Sequence, residues 1–92
     1  SPSYVVMDLI AGKGAHVEYH DPFVPRIGMA RDRWSGRESV PLEDSVLKSF
    51  DAAVVCTAHP GVPHERLSET IPLVVDACHV VPTNNRARVV PA

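Results

Sequence analysis

Two cysteines, two tyrosines, two phenylalanines and a single tryptophan are all that 92 residues contain of these types. Two cysteines are too few for the disulfide lattice of a small secreted scaffold. No apolar run approaches the ~18–20 residues of a membrane span, and no signal peptide opens the chain. Positive charge is scarce as well. Nine Lys and Arg against eleven Asp and Glu leave a formal charge of −2, which excludes the broad basic surface of a nucleic-acid binder. Internal repeats, low-complexity tracts and interdomain linkers are missing too. These absences predict a soluble, reduced, cytoplasmic protein whose partners include neither nucleic acid nor membrane.

What the chain does have is globular composition, 45% hydrophobic and 22% charged. At this length it makes one small domain, residues 1–92, burying about 60–65% of its unfolded surface. Valine and isoleucine number 18 against 5 leucines, with Val-Val pairs at 5–6, 54–55, 74–75, 80–81 and 89–90. β-Branched residues in short runs favour buried strands over a helical bundle.

The first stretch, 1–14, reads as a helix. Ser1 supplies an N-cap and Pro2 a first-turn residue, Val5/Val6 and Leu9/Ile10 mark an apolar face, and Gly12 and Gly14 give the stop. Val17 and Tyr19 then alternate with His16, Glu18 and His20, the period of a strand that Asp21-Pro22 ends. From Phe23 to Val40 the arginines at 26, 31, 33 and 37 are interspersed with glycines, which reads as a surface loop. A short helix over 42–50 follows, with acids near its start and Lys48 near its end. The run 52–57 reads as a central strand, 59–63 as a turn, 64–70 as a helix, 72–77 as a buried strand, 82–85 as a loop and 88–90 as a last strand. Alternating helices and strands imply parallel strands joined by helical crossovers. The expected fold is therefore α/β: a Rossmann-like three-layer α/β/α sandwich with a mostly parallel sheet. Such units normally begin on a strand and this chain begins on a helix, so either the arrangement is permuted or its first strand is missing. A missing first strand is the expectation.

Ligands in open parallel sheets sit at the carboxyl ends of the strands. That rule gathers His20-Asp21-Pro22, Thr57-Ala58-His59 and Asp76-Ala77-Cys78-His79 along one rim. Cys56, His59, Cys78, His79 and His20 have metal-binding chemistry, but their spacing matches no standard zinc arrangement, and Cys56 is expected to point into the core. Cys78 beside His59 or His79 has the chemistry of a thiol nucleophile without an evident orienting partner. Both cysteines read more simply as small buried hydrophobes. Gly12-Lys13-Gly14 ends a helix, the reverse of a dinucleotide fingerprint's strand-to-helix setting. Asp21 and Asp76, each at a strand end, read as loop caps rather than as acid or base.

Four segments carry a resemblance: Ser1-Pro2, the run Gly14-Ala15-His16-Val17-Glu18-Tyr19-His20-Asp21-Pro22-Phe23-Val24-Pro25, the run Asp51-Ala52-Ala53-Val54-Val55-Cys56-Thr57-Ala58-His59, and Leu73-Val74-Val75-Asp76. In order and spacing they resemble the C-terminal domain of the UDP-glucose/GDP-mannose dehydrogenase family over about residues 1–79. The resemblance implies part of an NAD-dependent enzyme that oxidises the C6 hydroxyl of a UDP- or GDP-sugar to a carboxylate. It also implies that the NAD-binding domain and catalytic cysteine lie elsewhere in the parent enzyme, so that this chain is inactive alone and carries no catalytic residue, cofactor site or metal site. The implied substrate-binding residues are Thr57, His59 and Cys78. In the family an arginine follows the last motif as Asp-x-Arg; here Cys78 occupies its place. The missing first strand, which in the family lies between the strands ending at Asp21 and Thr57, implies that those two pair directly or that an edge is left unpaired, and hence a rearranged or strand-swapped homodimer or a marginally stable monomer. The competing reading is a non-catalytic α/β interaction module that has lost nucleotide binding and serves assembly.

Overall fold

The computed structural model describes residues 2–84 and 86–92. The N-cap expected of Ser1 and the loop residue Asn85 lie outside them. The chain divides into two compact units, Ser1–Val40 and Pro41–Ala92.

The first unit opens with α1, Pro2–Gly12. It ends as its glycines predict. Gly14 takes φ +97°, and the amides of Lys13, Gly14 and Ala15 donate to Ile10 and Ala11 carbonyls at 3.0–3.3 Å. A residue with a Cβ is strained in that left-handed conformation. Tyr4, Met7 and Ala11 pack one side of α1 onto Ile27 and Trp34, joined by Val17, Tyr19 and Val24.

Two expectations for this unit need correction. Residues 15–20 form no strand. Val17 and Tyr19 do turn toward the core as their alternation predicts, but among the described residues the Val40 amide on the Tyr19 carbonyl at 2.8 Å is the one backbone bond across to a neighbouring segment, and a strand requires a repeating ladder. Nor is 23–40 a solvated loop. Ile27 and Trp34 are 2% and 3% exposed, Arg26 bridges antiparallel to Glu38, and a 3-10 turn, Asp32–Trp34, carries the indole inward. The Trp34 Nε1–H donates to Asp8 Oδ1 at 2.7 Å, which satisfies the one polar atom that burying an indole leaves to pair.

The second unit holds the sheet. Strands β1 (Ala52–Val55), β2 (Leu73–Asp76) and β3 (Arg88–Pro91) lie in that order, all parallel, with Ala53, Val74 and Val89 in register. The chain is thus α/β and Rossmann-like, as its alternating elements predict. Two helices, α2 (Asp44–Leu47) and α3 (Glu65–Thr70), connect into it, and α2 is shorter than the 42–50 expected. Leu47, Val55, Leu67, Ile71, Val74 and Val81 make the core, with Ala53 and Val89 against it. Alternate residues of β1 and β2 therefore face the helices, and Val74 is fully buried.

Among the described residues no helix crosses between β2 and β3. A hydrogen-bond relay holds that connection instead. The Ser68 hydroxyl of α3 donates to the Pro82 carbonyl at 3.2 Å, and Asn84 Nδ2 donates back to the Ser68 carbonyl at 3.0 Å. Asn84 Oδ1 then accepts the amides of Arg86 and Ala87 at 2.8 and 3.0 Å, which delivers the chain into β3.

Candidate functional site

The register Val55↔Asp76 brings the ends of β1 and β2 side by side. Asp76 organises the place. It is 2% exposed, and its carboxylate accepts the amides of Val81 at 2.7 Å and Cys78 at 3.3 Å. Burial alone raises its pKa, but the ring of backbone N–H donors from 78 to 81 outweighs burial and holds the carboxyl below its ordinary 3.8. Asp76 thus caps a turn, as its place at a strand end predicts. The turn forces His79 to φ +57°, an uncommon conformation for a residue with a side chain. His79 is exposed there.

A cleft of about 300 Å³ opens beside this turn, lined by Asp76, His79, Val81, Thr83, Val89 and Pro91. Sequence patterns pointed to Asp76 and His79 but not to Thr83, Val89 or Pro91, because only the helix-free return into β3 brings the last strand to this end.

Of the three residues expected to contact substrate, Cys78 lies over the end of β1, its thiol donating to the Val55 carbonyl at 3.9 Å. Thr57 stands exposed two residues past Val55, and His59 is half-buried at a turn closed by the Val62 amide on the His59 carbonyl at 3.3 Å. None of the three lines the 300 Å³ cleft; Thr57 and His59 follow β1, and Cys78 follows β2.

Cys56 departs from expectation. It is exposed, whereas Cys78 is half-buried. Val55 takes the core-facing position of β1, so the two-residue period turns Cys56 outward. Among the described residues no three His, Cys, Asp or Glu side chains are grouped to hold a metal ion.

His20 and Asp21 belong to the first unit. There His20 Nδ1–H donates to the Val40 carbonyl at 2.7 Å, a contact that fixes the tautomer because a carbonyl only accepts. Asp21 Oδ1 accepts the Phe23 amide at 2.8 Å, the loop cap expected of it. The arginines of this unit are committed to neighbours. Arg31 lies 4.6 Å from the Tyr4 ring centre and Arg37 5.3 Å from that of Trp34, while Arg26 and Arg37 approach Glu38 and Glu18 at 3.6 Å.

A parallel sheet with turns, polar side chains and a cleft at its carboxyl end defines an α/β domain of the Rossmann type. Residues 1–85 match the UDP-binding domain of the UDP-glucose/GDP-mannose dehydrogenase family, and the chain belongs to that family. Searches of the curated proteins and of the solved structures returned no significant match.

The dehydrogenases of this family use NAD. The Gly12-Lys13-Gly14 segment of this chain does not fit that cofactor. A dinucleotide cradle needs glycines where a strand turns into a helix and the backbone approaches pyrophosphate, whereas Gly12 and Gly14 follow a helix and nothing lies within 4 Å of a Cβ built on either.

Proposed function

We propose that this chain, residues 1–92 acting as one domain, is the C-terminal nucleotide-sugar-binding part of an NAD-dependent 6-dehydrogenase. The parent enzyme oxidises the sugar C6 hydroxyl to a carboxylate. NAD is held by another domain of that enzyme, and this chain has no dehydrogenase activity alone. The compartment is the cytoplasm, in keeping with two free thiols.

The observation that carries this reading is the position of Thr57 and Cys78, each two residues past the paired Val55 and Asp76 of neighbouring parallel strands, in a chain that belongs to a UDP-binding family. The Thr57 hydroxyl donates and accepts, which suits a ribose or phosphate oxygen, and the His59 imidazole adds a second polar contact. Cys78 brings only a weak S–H donor where the family places a guanidinium fork. Binding is accordingly weak and positioning, with no bond-making role for any of the three.

Titration of UDP-glucose, UDP-N-acetylglucosamine and GDP-mannose, followed by NMR, tests the reading. Saturable shifts at Thr57, His59 and Cys78 are expected. Silence from all three sugars sinks it and leaves the assembly module, a reading that the Cys78 replacement favours. Self-association is part of the proposal. Among the described residues β1 pairs with β2 alone, and its other edge carries Ala52 and Val54 without a charge or proline to blunt it. Light scattering coupled to size exclusion should find a homodimer; a monomer at every concentration refutes that part.

A further inference from the structure

Cys56 and Cys78 are the only cysteines of the chain, both are free, and they follow strands that run in register. With Val55 opposite Asp76, Cys56 is the first residue past β1 and Cys78 the second past β2. Their separation has an upper bound. The Cys78 Sγ lies 3.9 Å from the Val55 carbonyl oxygen, and planar trans peptide geometry puts that oxygen about 2.8 Å from the Cα of Cys56. The Cys78 sulfur is therefore within about 6.7 Å of the Cys56 Cα. A disulfide then needs a local shift on the order of 3 Å.

The direction of that shift matters. Cys78 packs on the core-facing side of the sheet, while Cys56 follows the buried Val55 and is exposed. Joining them turns the chain over at Cys56 and draws Thr57 and His59 with it. The strands end at Val55 and Asp76, so neither cysteine lies within a strand that the rotation must break.

We infer that Cys56 and Cys78 are a redox pair whose disulfide closes the rim between β1 and β2. The oxidant is a low-molecular-weight disulfide. The exposed Cys56 thiolate attacks one of its sulfurs and releases one thiol, giving a mixed disulfide at Cys56. The Cys78 thiolate then attacks the Cys56 sulfur, forms the internal bond and releases the second thiol. Two thiol protons leave the protein and two electrons pass to the oxidant, which departs as two thiols. The effect on nucleotide binding rests on the function proposed above; the bond itself does not.

The test equilibrates the 92-residue chain with mixtures of glutathione and glutathione disulfide, blocks remaining thiols and measures intact mass. The monomer should lose two hydrogen masses and yield one linked peptide pair holding Cys56 and Cys78, reversibly. Cys56→Ser and Cys78→Ser should instead take up a single glutathione. The His59 ring resonances should move on oxidation of the wild type to positions that the glutathione adduct of Cys78→Ser does not reproduce. Two glutathiones on the wild type without an internal bond, links only between chains, or a bridge that leaves His59 unmoved would overturn the inference. UDP titration separates the two claims. At least tenfold weaker binding in the oxidised form supports both. A bridge with no UDP binding in either form keeps the redox pair and removes the nucleotide reading. Equal binding in both forms shows that the bridge does not close the rim.

Discussion

At the end of β2 a single carboxylate holds the turn that carries Cys78 and His79. Asp76 is buried and satisfied by backbone amides, so replacing it with Asn removes the charge and turns a donor toward other donors. Asp76→Asn should cost about 1–3 kcal/mol, measured by urea unfolding at neutral pH. The sign of the pH effect follows from its lowered pKa. A carboxyl with a folded pKa below its unfolded one contributes stability that is complete above the unfolded value, near 3.8. That contribution is lost as pH falls through the folded value. Melting temperatures of wild type and Asp76→Asn should therefore converge as pH drops below about 4. Trp34 offers a second test. Trp34→Phe keeps an aromatic ring but abandons the 2.7 Å bond to Asp8, and should lose about 1–3 kcal/mol. Circular dichroism must follow that unfolding, since the fluorophore is removed.

Among the elements, β1 has two distinguishable edges. The Ala77 amide donates to the Val55 carbonyl at 3.3 Å, so Val55 and, by alternation, Ala53 direct their peptide groups to β2, while Ala52 and Val54 direct theirs to the open side. Proline removes a backbone donor. Ala53→Pro should unfold the second unit, and Val54→Pro should keep a cooperative melt; equal damage from both would refute this assignment of edges. The same strand shows what the sequence makes legible. The Val54-Val55 and Val74-Val75 runs announce β1 and β2 because a short β-branched run with turn residues on both sides has few other uses. Gly14 announces the end of α1 for the steric reason that it adopts φ +97°. Residues 15–20 mislead, because period-two alternation reports which side chains are buried and says nothing of whether a neighbour exists to complete a ladder. Ile27 and Trp34 are missed as core for the opposite reason. They are isolated apolar residues among arginines and glycines, with no period to expose them. At the candidate site, Asp76 could be read as a cap from its position. The outward turn of Cys56 and the approach of Pro91 depend on where β1 ends and on how a helix-free connection returns, which no local pattern encodes.

Over the whole molecule, charge is unevenly divided. Residues 1–40 carry five Lys and Arg against five Asp and Glu, and residues 41–92 carry four against six, so the net −2 resides entirely in the second unit. A nucleotide diphosphate at the β1–β2 rim meets like charge there, with no guanidinium at position 78 to offset it. Raising salt from about 50 to about 300 mM should leave its affinity unchanged or slightly improved, because screening weakens repulsion. Cys78→Arg should tighten binding at least tenfold at low salt and make it fall as salt rises. Calorimetry at two ionic strengths checks both. Wild-type binding that collapses with salt would mean that arginines elsewhere hold the phosphates.

The sole indole has a practical consequence for all of these measurements. Wrapped by Met7 and Ile27, Trp34 should emit in the blue, and its fluorescence is a spectroscopic label for the first forty residues. The rim beyond β1 and β2 has no such native chromophore. The imidazole protons of His59 and His79 are therefore the native reporters that belong to the same unit as those strand ends.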